Sequence, residues 1–151
     1  VDHPVEALRI GLTEIPKACS LHKDIEWALE AGGNIRNYAE AAEAVKERFK
    51  GMHQVHTNNN ACLTVFGLMI GGTDVSKVLS ETVAMGFDND CTAATAGSIV
   101  GAIVGKEGVP SHWNEPFQDT VNTYMIGAER FKMSDLVDRF SAVAEQTFQG
   151  N

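Results

Sequence analysis

The chain has 151 residues, a length that suits one compact domain built on one hydrophobic core. It carries 12 Lys and Arg against 20 Asp and Glu, for a net charge of -8. This charge repels phosphate backbones and anionic lipid, so nucleic acid and membrane surfaces are excluded as expected partners. The longest weakly polar run, Cys91 to Gly105, is too short to span a bilayer. Three scattered cysteines favour a reducing, cytoplasmic setting.

Apolar residues recur at helical spacing along most of the chain, and capping or breaking residues separate the periodic stretches. Pro4 suits the first turn of a helix and Pro16 a stop, while Asn37 and Asp74 are good N-caps. Ser20 is expected to cap the second helix. The predicted helices cover residues 4–15, 20–31, 37–50, 60–70, 74–85, 91–104 and 134–148.

Two predicted helices differ from an ordinary surface helix. Residues 60–70 are apolar on all sides, which predicts a buried central helix. In the helix 91–104 and just after it, Gly97, Gly101 and Gly105 recur every four residues, so another helix is expected to approach this bare face. Residues 106–130 have the Gly and Pro content of a loop, and no strand is predicted. We therefore expect an all-α, compact helical bundle of about seven helices, forming a single domain over residues 1–151.

The sequence Asp88-Asn89-Asp90 stands at the entry to the glycine-lined helix. Two carboxylates at positions i and i+2 of a turn can converge on one Mg²⁺ or Mn²⁺. The alternative interpretation is helix capping, which needs only one short acceptor. An EF-hand is excluded, because Thr92, Ala93 and Ile99 stand where its loop requires an oxygen ligand, glycine and glutamate.

Other polar patterns are weaker. Cys19 with His22, and His53 with His56, could be proposed as zinc ligands, but neither pair has the usual structural-zinc spacing. The glycines before Lys106 do not fit a phosphate loop. The polar run 56–60 could line a ligand pocket through Asn59 and Asn60, or could simply form a capped helix entry.

The run from Gly86 to Gly97, continued by Gly101 and Gly105, resembles the C-terminal metal motif of the ADP-ribosylglycohydrolase family. The resemblance extends backward through His56-Thr57 and residues 74–85, and forward to Pro110 and Trp113. It implies an all-α fold with a magnesium pair, and cleavage of the glycosidic bond that joins ADP-ribose to a protein side chain or a related acceptor. ADP-ribose or an ADP-ribosylated substrate is the expected partner.

Carried over by position, the resemblance implies that Asp88 and Asp90 are metal ligands for Mg²⁺, with Mn²⁺ as a substitute. Cys91 takes the place of a metal-binding threonine in many members and is a weaker prediction, since a thiol prefers softer ions. A water or Thr92 could replace that contact. Asn59 and Asn60 are weaker predictions for substrate binding.

The family's further metal-binding acids and its glycine-rich segment have no counterpart in these 151 residues. We therefore expect a fragment, the C-terminal part of a larger domain, which is inactive by itself. Two alternatives stay open. One is a non-catalytic helical module for interaction or oligomerisation, and the other is a homo-oligomer in which Glu81 or Glu107 of a neighbouring copy completes the site.

Overall fold

The computed structural model describes residues 1–150, and the chain divides into two compact units, Val1–Val109 and the segment from Pro110 onward. The fold is helical, as predicted, with eight α-helices and one short pair of strands within residues 1–150. The first unit contains α1 Pro4–Leu12, α2 Ser20–Ala31, α3 Tyr38–Arg48, α4 Thr57–Gly71, α5 Val75–Ala84 and α6 Asn89–Gly108.

Helix α4 lies at the centre of the first unit and packs against the five other helices of that unit. Nine of its 15 residues are buried, and they point in all directions around the axis. Leu63, Phe66 and Leu68 have no exposed surface. This confirms the buried central helix that the apolar pattern predicts, because only a helix surrounded by others can bury every face.

Local capping sets where most helices begin. Asn37 accepts from the N–H groups of Ala39 and Glu40, and Asp74 accepts from that of Lys77, as predicted. The expected cap of α2 was wrong by one residue, since the Cys19 sulfur accepts from the N–H of His22 and Ser20 is already helical. Helix α4 begins three residues earlier than predicted because the His56 imidazole caps it.

Close helix packing occurs between α4 and α5 rather than along the glycines of α6. A Cβ on Gly67 would lie 1.9 Å from Thr82 Oγ1, and one on Gly71 would lie 2.4 Å from a Val78 methyl group. On α6, only Gly97 of the three spaced glycines has a close neighbour, and Gly101 has nothing within 4 Å. The expected close approach of another helix therefore occurs at Gly97, against Leu79 of α5, and not at Gly101 or Gly105. Gly105 interrupts α6 with φ of 68°.

A polar network ties α2, α3 and α4 together. Asp24, 9% exposed, accepts hydrogen bonds from Arg48 Nη2 at 2.7 Å and from Asn58 Nδ2 at 2.5 Å. The guanidinium also stacks over Trp27, 4.4 Å from the ring centre. A nearly buried carboxylate is tolerated only when it is paired in this way.

The second unit contains α7 Ser111–Asn114, a 3₁₀ turn at Glu115–Phe117, β1 Thr120–Asn122, β2 Arg130–Lys132 and α8 Met133–Gln149. The strands pair antiparallel, with Val121 opposite Phe131. The prediction of no strand was wrong, because three residues are too few to show an alternating pattern. Helix α8 matches its predicted range to within one residue at each end. Within residues 1–150, no helix is both long and apolar enough to cross a membrane.

We predict that Gly67→Ala destabilises the protein by about 1–3 kcal/mol, because the new methyl group would collide with the buried Thr82. Gly101→Ala is the matched control, and it should stabilise α6 by about 0.5–1 kcal/mol. Urea unfolding of both variants measures the two free energies. Equal effects at the two positions would contradict the α4–α5 packing described here.

Candidate metal centre

The turn between α5 and α6 has an unusual backbone. Gly86 and Phe87 both have positive φ, 76° and 61°. This conformation is free for glycine but costs roughly 1–2 kcal/mol for a residue with a side chain. Phe87 stays in it while its half-buried ring packs against the core around α4. Packing of the Phe87 ring therefore fixes the conformation of the turn. It also fixes the direction in which the chain continues from Asp88 onward.

Three side chains of types that can bind a metal lie close together after this turn. One ligand atom from each of Asp88, Asp90 and Cys91 lies within 4.8 Å of the other two. In the part of the chain that the structure describes, residues 1–150, this is the one group of three or more such side chains. Asp88 is partly buried, whereas Asp90 and Cys91 are exposed. The structure thus brings together the three residues that the sequence singles out as metal ligands.

The side chain of Asp88 does not cap its helix. Asp88 occupies the N-cap position of α6, but its carboxylate accepts no hydrogen bond from a backbone N–H of the first turn. Its Oδ2 atom instead accepts from Asn60 Nδ2 of α4 at 2.5 Å. Asp74, at the start of α5, shows the contrast, since its carboxylate does cap. The capping alternative is therefore wrong for Asp88.

The profile of the ADP-ribosylglycohydrolase family matches residues 2–149, nearly the whole chain. The chain belongs to the ADP-ribosylglycohydrolase family. Membership makes it an ADP-ribosylglycohydrolase-type hydrolase by relationship and agrees with the helical fold. Comparisons with curated proteins and with solved structures gave no match. The family match thus covers both units of the chain and is not confined to residues 86–97.

The acidic neighbours of Cys91 act on its thiol. A hydrogen bond with Asp88 and the charge of that carboxylate raise the pKa of Cys91, and Asp90 adds to the effect. A thiol is also a softer ligand than Mg²⁺ prefers. The buried hydroxyl of Thr92 donates to the backbone, at hydrogen-bond distance from the carbonyl oxygens of Asp88 and Asn89. The carboxylates are consequently the stronger candidates for ligands in this member of the family.

The two asparagines singled out for substrate binding lie in different surroundings. Asn60 reaches the cluster through Asp88. Asn59 instead donates to the carbonyl oxygen of His53 and lines a separate cavity of about 410 Å³ beside Phe49. The sequence flags the polar run but gives no sign that Asn60 meets Asp88, which is 28 residues away.

A mostly apolar cleft of about 340 Å³ opens beside the cluster. It runs between α1, α2, α4 and α6 and has Asn60 and Cys91 in its wall. Its lining consists of Leu8, Ile25, Thr57, Asn60, Ala61, Thr64, Val65, Cys91, Thr92, Thr95 and Ile99. An apolar cleft with a few polar groups on one side is a common form of ligand site.

The other proposed ligands have structural roles of their own. Cys19 and His56 both serve as helix caps, and the ring of His22 lies 3.1 Å from the carbonyl oxygen of Ile15. Glu81, suggested as a ligand donated by a neighbouring copy, accepts from the backbone N–H of Tyr38 at 2.7 Å. Each of these four residues therefore has a structural role that requires no metal.

We predict that Asp88→Asn speeds alkylation of Cys91 by iodoacetamide at a pH below the ordinary thiol pKa. Removing the charge lowers the pKa of Cys91, so that a larger fraction is thiolate. Mass spectrometry of the folded protein over time gives the rate at each cysteine.

Cys62 is the internal control for that experiment. Burial raises the pKa of Cys62 to about 12, so this thiol should stay unmodified in both proteins while they are folded. An unchanged Cys91 rate would contradict the contact between Asp88 and the thiol.

Proposed function

We propose that this chain belongs to a Mg²⁺-dependent hydrolase that cleaves the glycosidic bond of ADP-ribosylated protein or of a related ADP-ribosyl compound. The observation that carries the proposal is the carboxylate of Asp88, which does not cap its helix and lies beside Asp90 and Cys91, the last of which lines a cleft. Family membership supports the same reaction class. Mn²⁺ should substitute for Mg²⁺, since both ions take oxygen ligands.

The charge distribution around the cluster suits a cation. Ion pairs within residues 1–150 include Lys46 with Glu43 and Arg48 with Asp24. Neither pair involves the two aspartates of the cluster, so their negative charges lack a cationic side chain as a partner. Carboxylate oxygens are the ligands that Mg²⁺ prefers, and one or two of them, with water, complete many protein sites.

When bound, Mg²⁺ would supply Lewis-acid chemistry and orient water and sugar hydroxyls. Asp88 and Asp90 would hold the ion, and the apolar wall of the cleft would exclude water from one side of the bound substrate. We assign no general base among the described residues. A carboxylate from a further part of the family's fold is proposed for that step, so the 151-residue chain alone should bind the ion without turning over substrate.

The remaining proposals concern the cellular environment, the domain organisation and the self-association of the protein. Three free thiols, Cys19, Cys62 and Cys91, support a reducing, cytoplasmic setting. We also propose that the chain forms part of one larger ADP-ribosylglycohydrolase-like domain. We also propose self-association, in which an acidic residue of a neighbouring copy completes the site. The mass of the chain in solution tests this proposal.

We predict that calorimetric titration of Mg²⁺ into the chain gives heat that is lost in the double variant Asp88→Asn, Asp90→Asn. The variant loses both hard oxygen ligands. Titration of ADP-ribose into the metal-loaded chain then tests the substrate class.

The control is the double variant Asp135→Asn, Asp138→Asn, which removes the same charge from exposed positions of α8. Its Mg²⁺ heat should equal that of the parent. Equal binding by all three proteins would place the ion elsewhere. No heat in the parent would favour the non-catalytic helical module instead.

A further inference from the structure

We propose that Asn60 is a positioning residue that fixes the orientation of the Asp88 carboxylate for a divalent cation. The inference rests on the proposed metal function and adds a residue from another helix to that site. Asn60 lies in the first turn of α4, and Asp88 lies 28 positions later at the start of α6. Their side chains meet at 2.5 Å between Nδ2 and Oδ2.

The direction of the Asn60 amide follows from electrostatics. A carboxylate can only accept hydrogen bonds, so the amide must turn its NH₂ group toward Asp88. The opposite orientation would place two acceptor oxygens against each other. The bond from Asn60 to Oδ2 restricts rotation of the Asp88 carboxylate, which the Cys91 thiol also contacts. Hydrogen bonds of this kind orient metal ligands in many proteins.

The side-chain carbonyl oxygen of Asn60 shows that a contribution to core stability does not by itself explain an asparagine at this position. Within residues 1–150, its Oδ1 atom is buried and has no hydrogen-bond partner. A buried acceptor without a partner costs free energy. An apolar residue at this position would avoid that cost, so Asn60 is better explained by what its NH₂ group does for Asp88.

Asn58 provides a comparison within the same helical turn. It makes an equally short bond, 2.5 Å, from its amide to the carboxylate of Asp24. Asp24, however, also pairs with Arg48 and is nearly buried, so its charge is already compensated inside the core. Asp88 has no cationic partner among the residues described, and it lies beside Asp90. Asn58 therefore supports the core, whereas Asn60 supports a carboxylate with unmatched charge.

The test titrates Mn²⁺ alone into the parent chain, Asn60→Ala and Asn58→Ala by calorimetry, with thermal melting of each metal-free protein. Loss of a hydrogen-bonding partner behind a metal ligand typically weakens metal binding about 10- to 100-fold. We expect that loss in Asn60→Ala. Asn58→Ala should lower the melting temperature more than Asn60→Ala, while its Mn²⁺ affinity stays near that of the parent.

Electron paramagnetic resonance of bound Mn²⁺ adds a readout that a purely structural role would not change. The fine structure of the spectrum should differ between the parent and Asn60→Ala at saturating metal, and should be the same in the parent and Asn58→Ala. Parent-like affinity and spectrum in Asn60→Ala would overturn the positioning role while leaving the metal site in place. Equal losses of affinity in both variants would also overturn it, since the cause would then be the fold of α4. Absence of Mn²⁺ binding in the parent would overturn the proposed metal function, and the positioning role with it.

Discussion

The carboxylate of Asp24 sets the arrangement on which the first unit depends. It is nearly buried, and donors from α3 and α4 satisfy it through Arg48 and Asn58. Removing one partner of such a group leaves a charge without compensation inside the protein, which is strongly destabilising. The contact therefore fixes the first turn of α4 relative to α2 and α3. Because α4 is the central helix, the position of its first turn also determines which of its residues contact the neighbouring helices.

The contact that α4 makes with the acidic cluster depends on that placement. Residues 58 and 60 lie in the same turn of α4, and their amides bind carboxylates from two different helices. On the other side, the half-buried ring of Phe87 holds a turn whose backbone is itself unfavourable for a residue with a side chain. Strained backbone of this kind persists only where the surrounding packing enforces it, and such positions are often functional sites. The cluster is thus supported both by the core and by α4.

The sequence predicts the helices well because their signals are local. Apolar spacing marks seven of the eight α-helices, and Asn37 and Asp74 act as the caps that their positions indicate. The four-residue α7 and the three-residue strands are too short to show a period. The glycine pattern is informative only in part, since Gly97 has a close neighbour in Leu79 and Gly101 has none, a difference that spacing cannot show. Gly67 and Gly71, where the close contact does occur, have the same spacing.

For the site, the sequence identifies Asp88, Asp90 and Cys91 because the three residues are adjacent in the chain. It could not identify the bond between Asn60 and Asp88, which depends on how α4 and α6 pack. Nor could it show that Thr92 is engaged by backbone carbonyls, or that Phe87 takes positive φ. Each of these depends on the tertiary environment.

The most direct measurement is a crystal structure of the chain grown with Mn²⁺, with anomalous scattering recorded to locate the ion. The account predicts one anomalous peak within bonding distance of oxygens of both Asp88 and Asp90, close to the roughly 2.0–2.1 Å of Mg²⁺ sites, with Asn60 still bound to Asp88 Oδ2. A peak at other residues, with the two carboxylates free of metal, would contradict the account.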